Sequence, residues 1–159
     1  MKIKIGFGVD VHQLVPEREL IIGGVNVPAP FGALGHSDAD VLLHAICDAI
    51  LGALNLRDIG FHFSDTDPKY KDIDSKILLK DSFKLVKEKG YVIGNIDATV
   101  ILETPKLNPH IPAMQKVIAE CLETDVDNIS LKATTHEKVD SFGNQKAVKA
   151  YVVCLLTSE

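Results

Sequence analysis

Residues 2–12 constrain the fold more than any other segment. Ile3, Ile5, Phe7, Val9 and Val11 take the odd positions, and Lys2, Lys4, Gly6, Gly8, Asp10 and His12 take the even ones. A strict period of two is the signature of a strand, because successive strand side chains leave opposite faces. The pattern predicts a strand with an apolar buried face and a polar, open one. Such a strand needs sheet partners and a covering layer. A second strand is expected at about 20–27, with Gly23-Gly24 marking a bulge or a close backbone approach.

The covering layer is expected from the segments that follow. A loop with Pro28, Pro30, Gly32 and Gly35 leads to a helix. Ser37 is its expected N-cap, with Asp40 three residues on in a capping-box-like start. Val41, Leu42, Ala45, Ile46, Ala49 and Ile50 form its apolar stripe. Residues 55–73 are polar and aperiodic, and ordered loops of that length are often functional. A second helix is predicted over about 74–89, closed by Gly90, then a strand at about 91–103. A third helix carries Met114, Val117, Ile118, Cys121 and Leu122 on one stripe, and strands at about 129–134 and 147–156 finish the chain. This order predicts an α/β (α+β) two-layer sandwich, a mixed β-sheet with helices on one face. The 159 residues are read as one domain, 1–159, long enough to bury a core.

Composition narrows the function. Seventeen Lys+Arg against 22 Asp+Glu give a net charge of -5, which argues against a general nucleic-acid binder. There is no Trp and aromatics are 6%, a poor basis for base stacking. The three cysteines, Cys47, Cys121 and Cys154, form no CxxC pair and read as buried thiols in a reducing compartment. Asp10 interrupts any signal-type apolar core at the N-terminus, and His44 and Asp48 interrupt the longest apolar stretch, Val41 to Leu54. The expectation is a soluble, cytoplasmic protein with no membrane partner.

Several residues could carry chemistry. Asp10 and His12 are two apart on a strand and share a face, and His44 lies on the first helix. One carboxylate and two imidazoles suit zinc, leaving a coordination position open. His36, Ser37, Asp38 and Asp40 crowd a helix N-terminus, where capping explains Ser37 and Asp40 but not His36. Asp48, one turn after His44, is either a hydrogen-bond partner of that histidine or a solvent-facing carboxylate. Asp58-Ile59-Gly60 and Ser64-Asp65-Thr66-Asp67 could hold sugar-like hydroxyls or serve as turns. Lys132 to Lys138, K-A-T-T-H-E-K, supplies hydroxyls, a carboxylate and cations, or is a polar edge strand and turn. No G-x-S-x-G, P-loop or dinucleotide fingerprint is present, so no nucleophile stands out.

Taken together, the segments G-F-G-V-D-V-H (6–12), I-I-G-G-V (21–25), G-H-S-D-A-D-V-L-L-H-A (35–45), D-I-G (58–60), S-D-T-D-P (64–68), G-Y-x-I-G-N-I-D-A-T (90–99), P-K-L-N-P-H-I (105–111) and K-A-T-T-H-E-K (132–138) resemble the 2-C-methyl-D-erythritol 2,4-cyclodiphosphate synthase family of the non-mevalonate isoprenoid pathway. The resemblance implies a homotrimer with active sites at subunit interfaces. It implies zinc on the residues matching Asp10, His12 and His44, and a second divalent ion, Mg²⁺ or Mn²⁺, on the substrate diphosphate and Glu137. It implies transition-state stabilisation by His36 and Thr135. Ser37, Asp58, Ile59, Gly60, Phe63, Asp65, Thr66 and Asp67 would border the erythritol and phosphates. Pro105, Lys106 and Leu107, with Ala133 and Thr134, would form the cytidine pocket of the neighbouring subunit. Asp10, His12 and Glu137 would also touch substrate.

The implied activity, a phosphorus-oxygen lyase reaction, accounts for the missing nucleophile. The 2-phosphate of 4-diphosphocytidyl-2-C-methyl-D-erythritol 2-phosphate attacks the β-phosphate, closes the cyclic diphosphate and expels CMP. Cations would neutralise the converging phosphates and hold them in line. The chain departs from the family in two places. His136 stands where T-T-T-E has its third Thr, and the G-F-x-G-R-x-E-G stretch reads Asp140-Ser141-Phe142-Gly143-Asn144-Gln145-Lys146-Ala147. In the family the second stretch binds phosphate and lines the trimer axis. His136 could supply an extra ligand. The competing readings are a non-catalytic trimeric metabolite-binding module on this scaffold and a metal-dependent phosphodiesterase.

Overall fold

The structure is a computed structural model and describes residues 1–158. Five strands form the main sheet in the order β4-β1-β7-β5-β6: β4 (Phe31–Ala33), β1 (Lys2–Pro16), β7 (Ala147–Ser158), β5 (Val92–Ile101) and β6 (Ile129–Thr134). Only β5 and β6 run parallel, so the sheet is mixed, and β5 reaches β6 through the crossover helix α4 (Ile111–Cys121). Helix α1 (Val41–Ala53) lies across β1 and β7, α3 (Ser75–Glu88) packs beside α1, and α4 covers β6. The expected two-layer sandwich is therefore present. Among the described residues no helix is long and apolar enough to cross a membrane.

The core sits between the helical layer and one face of the sheet. Leu42, Leu43, Ile46, Ile50, Leu79 and Ile118 meet Ile96, Val148, Val152 and Leu156 there, all fully buried. Burial of this apolar surface, at roughly 25 cal/mol per Å², is the main stabilising term. Cys47, Cys121 and Cys154 are all buried free thiols that pack as small apolar groups.

The strand over residues 2–12 is present and longer than expected, but its faces are reversed. The even residues point at the helices: Gly6 and Gly8 are buried beneath α1. The apolar odd residues Ile3, Ile5, Phe7, Val9 and Val11 are exposed, Ile5 by 69% and Phe7 by 61%. The physical reason is contact distance. Two glycines let α1 lie directly on the strand backbone, closer than any β-branched pair would permit.

Other differences are local. Residues 20–27 form a separate hairpin, β2 (Leu20–Ile22) and β3 (Val25–Val27), with Gly23 and Gly24 as its two-residue turn at φ 60° and 73° rather than a bulge. Strand β4 occupies what reads as a Pro/Gly loop, pairing Leu14 with Ala33 and Pro16 with Phe31. The N-cap of α1 is Asp40, not Ser37: its carboxylate accepts from the Leu43 N–H. The same carboxylate accepts from the N–H groups of Gly23 and Gly24, binding the hairpin turn to the helix. The aperiodic stretch 55–73 holds a single-turn helix α2 (Ile59–His62) and a 3₁₀ turn at Pro68–Tyr70.

Candidate active site

Strand periodicity puts Asp10 and His12 on the helix-facing side of β1, and α1 brings His44 above them. The Asp10 carboxylate oxygen Oδ2 lies 2.8 Å from His12 Nε2 and 3.2 Å from His44 Nδ1. The two ring nitrogens are 3.2 Å apart. Among the described residues these three side chains are the only group of at least three whose donor atoms all lie within 4.8 Å of one another.

The surroundings hold each group in place. His12 Nδ1–H donates to the Leu34 carbonyl at 2.9 Å, so Nε2 is the ring nitrogen that faces the cluster. His44 Nε2 meets Ser75 Oγ at 2.8 Å and Ser37 Oγ at 3.2 Å, leaving Nδ1 for the cluster. Burial alone would raise the Asp10 pKa, but hydrogen bonds from His12 and His44 prevail and bring it down to about 2. Burial works to lower the His44 pKa, and the Asp10 carboxylate more than offsets it and raises it. One carboxylate held ionised against two imidazoles is a donor set that fits a divalent cation with mixed N and O preference.

The cluster lines a cavity of about 380 Å³. His36, Ser37, Ile59, Gly60, Phe63 and Asp65 line it as well, together with Gly35, Tyr70, Ile73 and Leu78. His36 Nε2–H donates to the Asp67 carbonyl at 3.0 Å, joining the two sides of the opening. Asp58 caps α2 by accepting from Phe61 N–H, and Asp67 accepts from Lys69 N–H; Asp58, Thr66 and Asp67 are not among the residues that line this cavity. Thr66 bonds Ser64.

Asp48 does neither of the things its position suggests. It accepts the Ile59 N–H at 2.8 Å, so it anchors the cavity wall rather than His44. The residues that do back His44, Ser75 and Asp38, lie 31 and six positions away in sequence and no local pattern points to Ser75.

The remaining expected residues gather elsewhere. Pro105, Lys106, Leu107, Ala133, Thr134 and Thr135 line a second cavity of about 180 Å³, together with Leu102, Glu103 and Asn108. Glu137 and Lys138 follow in a turn at φ 52° and 62°. Neither Thr135 nor Glu137 lines the cavity of the Asp10 cluster within one chain. His136 is drawn to Asp140, at 2.9 Å, and packs edge-on against Phe142, so it adds no ligand to the cluster.

Comparison with known proteins places this geometry. Residues 3–157 match the YgbB family. The 2-C-methyl-D-erythritol 2,4-cyclodiphosphate synthase of Parabacteroides distasonis is 60% identical over 156 residues, covering 98% of this chain and 97% of that protein. Among solved structures, the bifunctional IspDF of Campylobacter jejuni superposes with a TM-score of 0.95 at 40% identity; 99% of this chain matches 43% of that longer one. The CDP complex of Plasmodium falciparum IspF superposes with a TM-score of 0.88 at 38% identity, covering 99% of this chain and 97% of that one. The chain thus belongs to the YgbB family, the family of the 2-C-methyl-D-erythritol 2,4-cyclodiphosphate synthases.

Proposed function

We propose that this protein converts 4-diphosphocytidyl-2-C-methyl-D-erythritol 2-phosphate to 2-C-methyl-D-erythritol 2,4-cyclodiphosphate and CMP. The observation that carries the reading is the convergence of Asp10, His12 and His44 on one cavity, in a chain 60% identical to a synthase of that name.

In this reading Asp10 Oδ2, His12 Nε2 and His44 Nδ1 hold a zinc ion. Glu137 would help to hold a second divalent ion, Mg²⁺ or Mn²⁺, together with the substrate diphosphate. Bound there, such cations would supply charge neutralisation for the converging phosphates and for the leaving CMP. The protein's own side chains do the positioning. Asp58, Ile59, Gly60, Phe63, Asp65, Thr66 and Asp67 border the erythritol. Ser37 sits beside the cation-binding edge. His36, pinned through Nε2 to Asp67, and Thr135 face the phosphates as the new P–O bond forms and the bond to CMP breaks. No general base is needed, because the attacking phosphate is already ionised near neutral pH.

The second cavity suits a pyrimidine nucleoside. Its separation from the first within one chain supports a site completed by another copy, as does the exposed apolar face of β1. In this reading three copies assemble, the number that the family resemblance implies. Incubation of the purified protein with substrate and Mg²⁺ is expected to release CMP and cyclic diphosphate in equal amounts. Water-derived oxygen in the product, or nucleotide binding with no turnover, overturns the reading.

A further inference from the structure

We propose that Ser75 and Asp38 form a two-step hydrogen-bond relay that fixes His44 as an Nδ1 ligand and sets the cation affinity of the site. This rests on the reading of Asp10, His12 and His44 as a metal-binding triad.

The relay follows from counting protons. Ser75 is fully buried at the first turn of α3, and its hydroxyl lies 2.5 Å from Asp38 Oδ1 and 2.8 Å from His44 Nε2. An ionised carboxylate only accepts. The single hydroxyl proton of Ser75 therefore goes to Asp38, and the Ser75 oxygen must accept from His44 Nε2–H. In a ring that ligates a cation through Nδ1, 3.2 Å from Asp10 Oδ2, this acceptor keeps the remaining proton on Nε2. Asp38 is itself held, since its Oδ2 accepts the Ser75 backbone N–H at 3.0 Å and its Oδ1 the Asp40 N–H at 3.2 Å.

His12 is set in the opposite sense. Its Nδ1–H is tied to Leu34 and its Nε2 faces the cluster. The two histidines thus present opposite nitrogens to one carboxylate oxygen, each fixed by an acceptor behind it. A carboxylate placed behind a ligating imidazole, here through one hydroxyl, raises ligand basicity and locks ring orientation. Ser37 Oγ also approaches His44 Nε2, at 3.2 Å, a longer contact than that of Ser75, and it accepts from Ala39 N–H. Ser75 and Asp38 are positioning residues: they act through His44 and touch no reacting atom.

The test compares Ser75→Ala, Asp38→Asn, the double variant and the conservative Ser75→Thr. Zinc affinity is measured by chelator competition, and ligand geometry by the visible spectrum of the cobalt-substituted protein. Ser75→Ala and Asp38→Asn are expected to weaken zinc roughly 10–100-fold, with Ser75→Thr within about threefold of the parent. The double variant is expected to be no weaker than Ser75→Ala, because both changes cut one relay. A folded Ser75→Ala protein with parental zinc affinity and cobalt spectrum overturns the proposal. Should Ser75→Ala not fold, ¹⁵N-histidine NMR of the unaltered, zinc-loaded protein decides it. An Nε2–H of His44 protected from exchange supports the relay, and an Nε2–H that exchanges as fast as that of a free imidazole overturns it. A parent protein that binds neither zinc nor cobalt sinks the metal reading of the triad, whereas parental zinc affinity in folded Ser75→Ala sinks the relay alone.

Discussion

The backbone of Gly8 runs directly beneath the carbonyl of Ala45: a Cβ at position 8 would stand 1.9 Å from that oxygen and 2.8 Å from the Ala49 nitrogen. Both obstacles are helix backbone, which cannot rotate away. Gly8→Ala is therefore expected to push α1 off β1 and destabilise the protein by about 3 kcal/mol or more, at the upper end of overpacking costs. The urea midpoint checks this. His44 rides on α1 and Asp10 and His12 on β1, so any folded fraction is expected to bind zinc more weakly.

Asp40 is fully buried, and burial pushes its pKa up to about 6, against the pull of the N–H groups of Leu43, Gly24 and Gly23. The sign follows. Between about pH 6 and the usual aspartate value near 4, the folded chain keeps a proton that the unfolded chain has released. This group therefore favours folding increasingly as pH falls through that window, and loses that contribution as pH rises. Asp40→Asn removes the titration and one of the acceptors. The unfolding free energy of the parent relative to Asp40→Asn is expected to rise as pH is lowered from about 6 to about 4. A flat difference across that range contradicts the assignment. Asp40→Ala leaves three backbone donors without their partner and is expected to cost about 3 kcal/mol.

Asp48 is expected to matter through the cavity wall. Its Oδ1 accepts the Ile59 N–H, the first residue of α2, beside Gly60 and Phe63. Asp48→Ala is expected to lower stability by about 1 kcal/mol. It is also expected to speed amide hydrogen exchange over residues 58–63 while leaving zinc affinity unchanged. Weakened zinc binding would mean that Asp48 acts on His44 after all.

Much of the site is legible in the sequence because its logic is local. Period two puts Asp10 and His12 on one face, and a helical His opposite them needs only a packed layer to meet them. The reversal of β1 was not legible, since apolar periodicity reports which residues share a face and not which body will cover it. The Gly23-Gly24 turn reads equally as a bulge. Strand β4 is hidden because Pro30 and Gly32 are poor strand formers whose pairing with β1 is decided by tertiary contact. Ser75 is invisible in a different way: its partner lies 37 residues away in sequence, at Asp38, and an N-terminal helical serine looks like ordinary capping.

The outer face of β1 supports a direct assay of association. Phe7 is exposed and stacks on Tyr151 at 6.2 Å between ring centroids, with Val153 exposed beside it. Phe7→Glu is expected to leave the single-chain fold intact, because no core contact is lost. It is also expected to shift the protein to monomer by light scattering and abolish turnover. A trimer that survives this change contradicts the proposed packing on this face.

The same 15-residue strand that offers this outer face carries, on its inner one, two of the three residues proposed to hold the cation. A second chain seated outside would brace the backbone from which Asp10 and His12 project. Ligand order and self-association then become linked equilibria. Dilution that releases the copies also loosens the grip on the ion, and the ion in turn favours the assembled state.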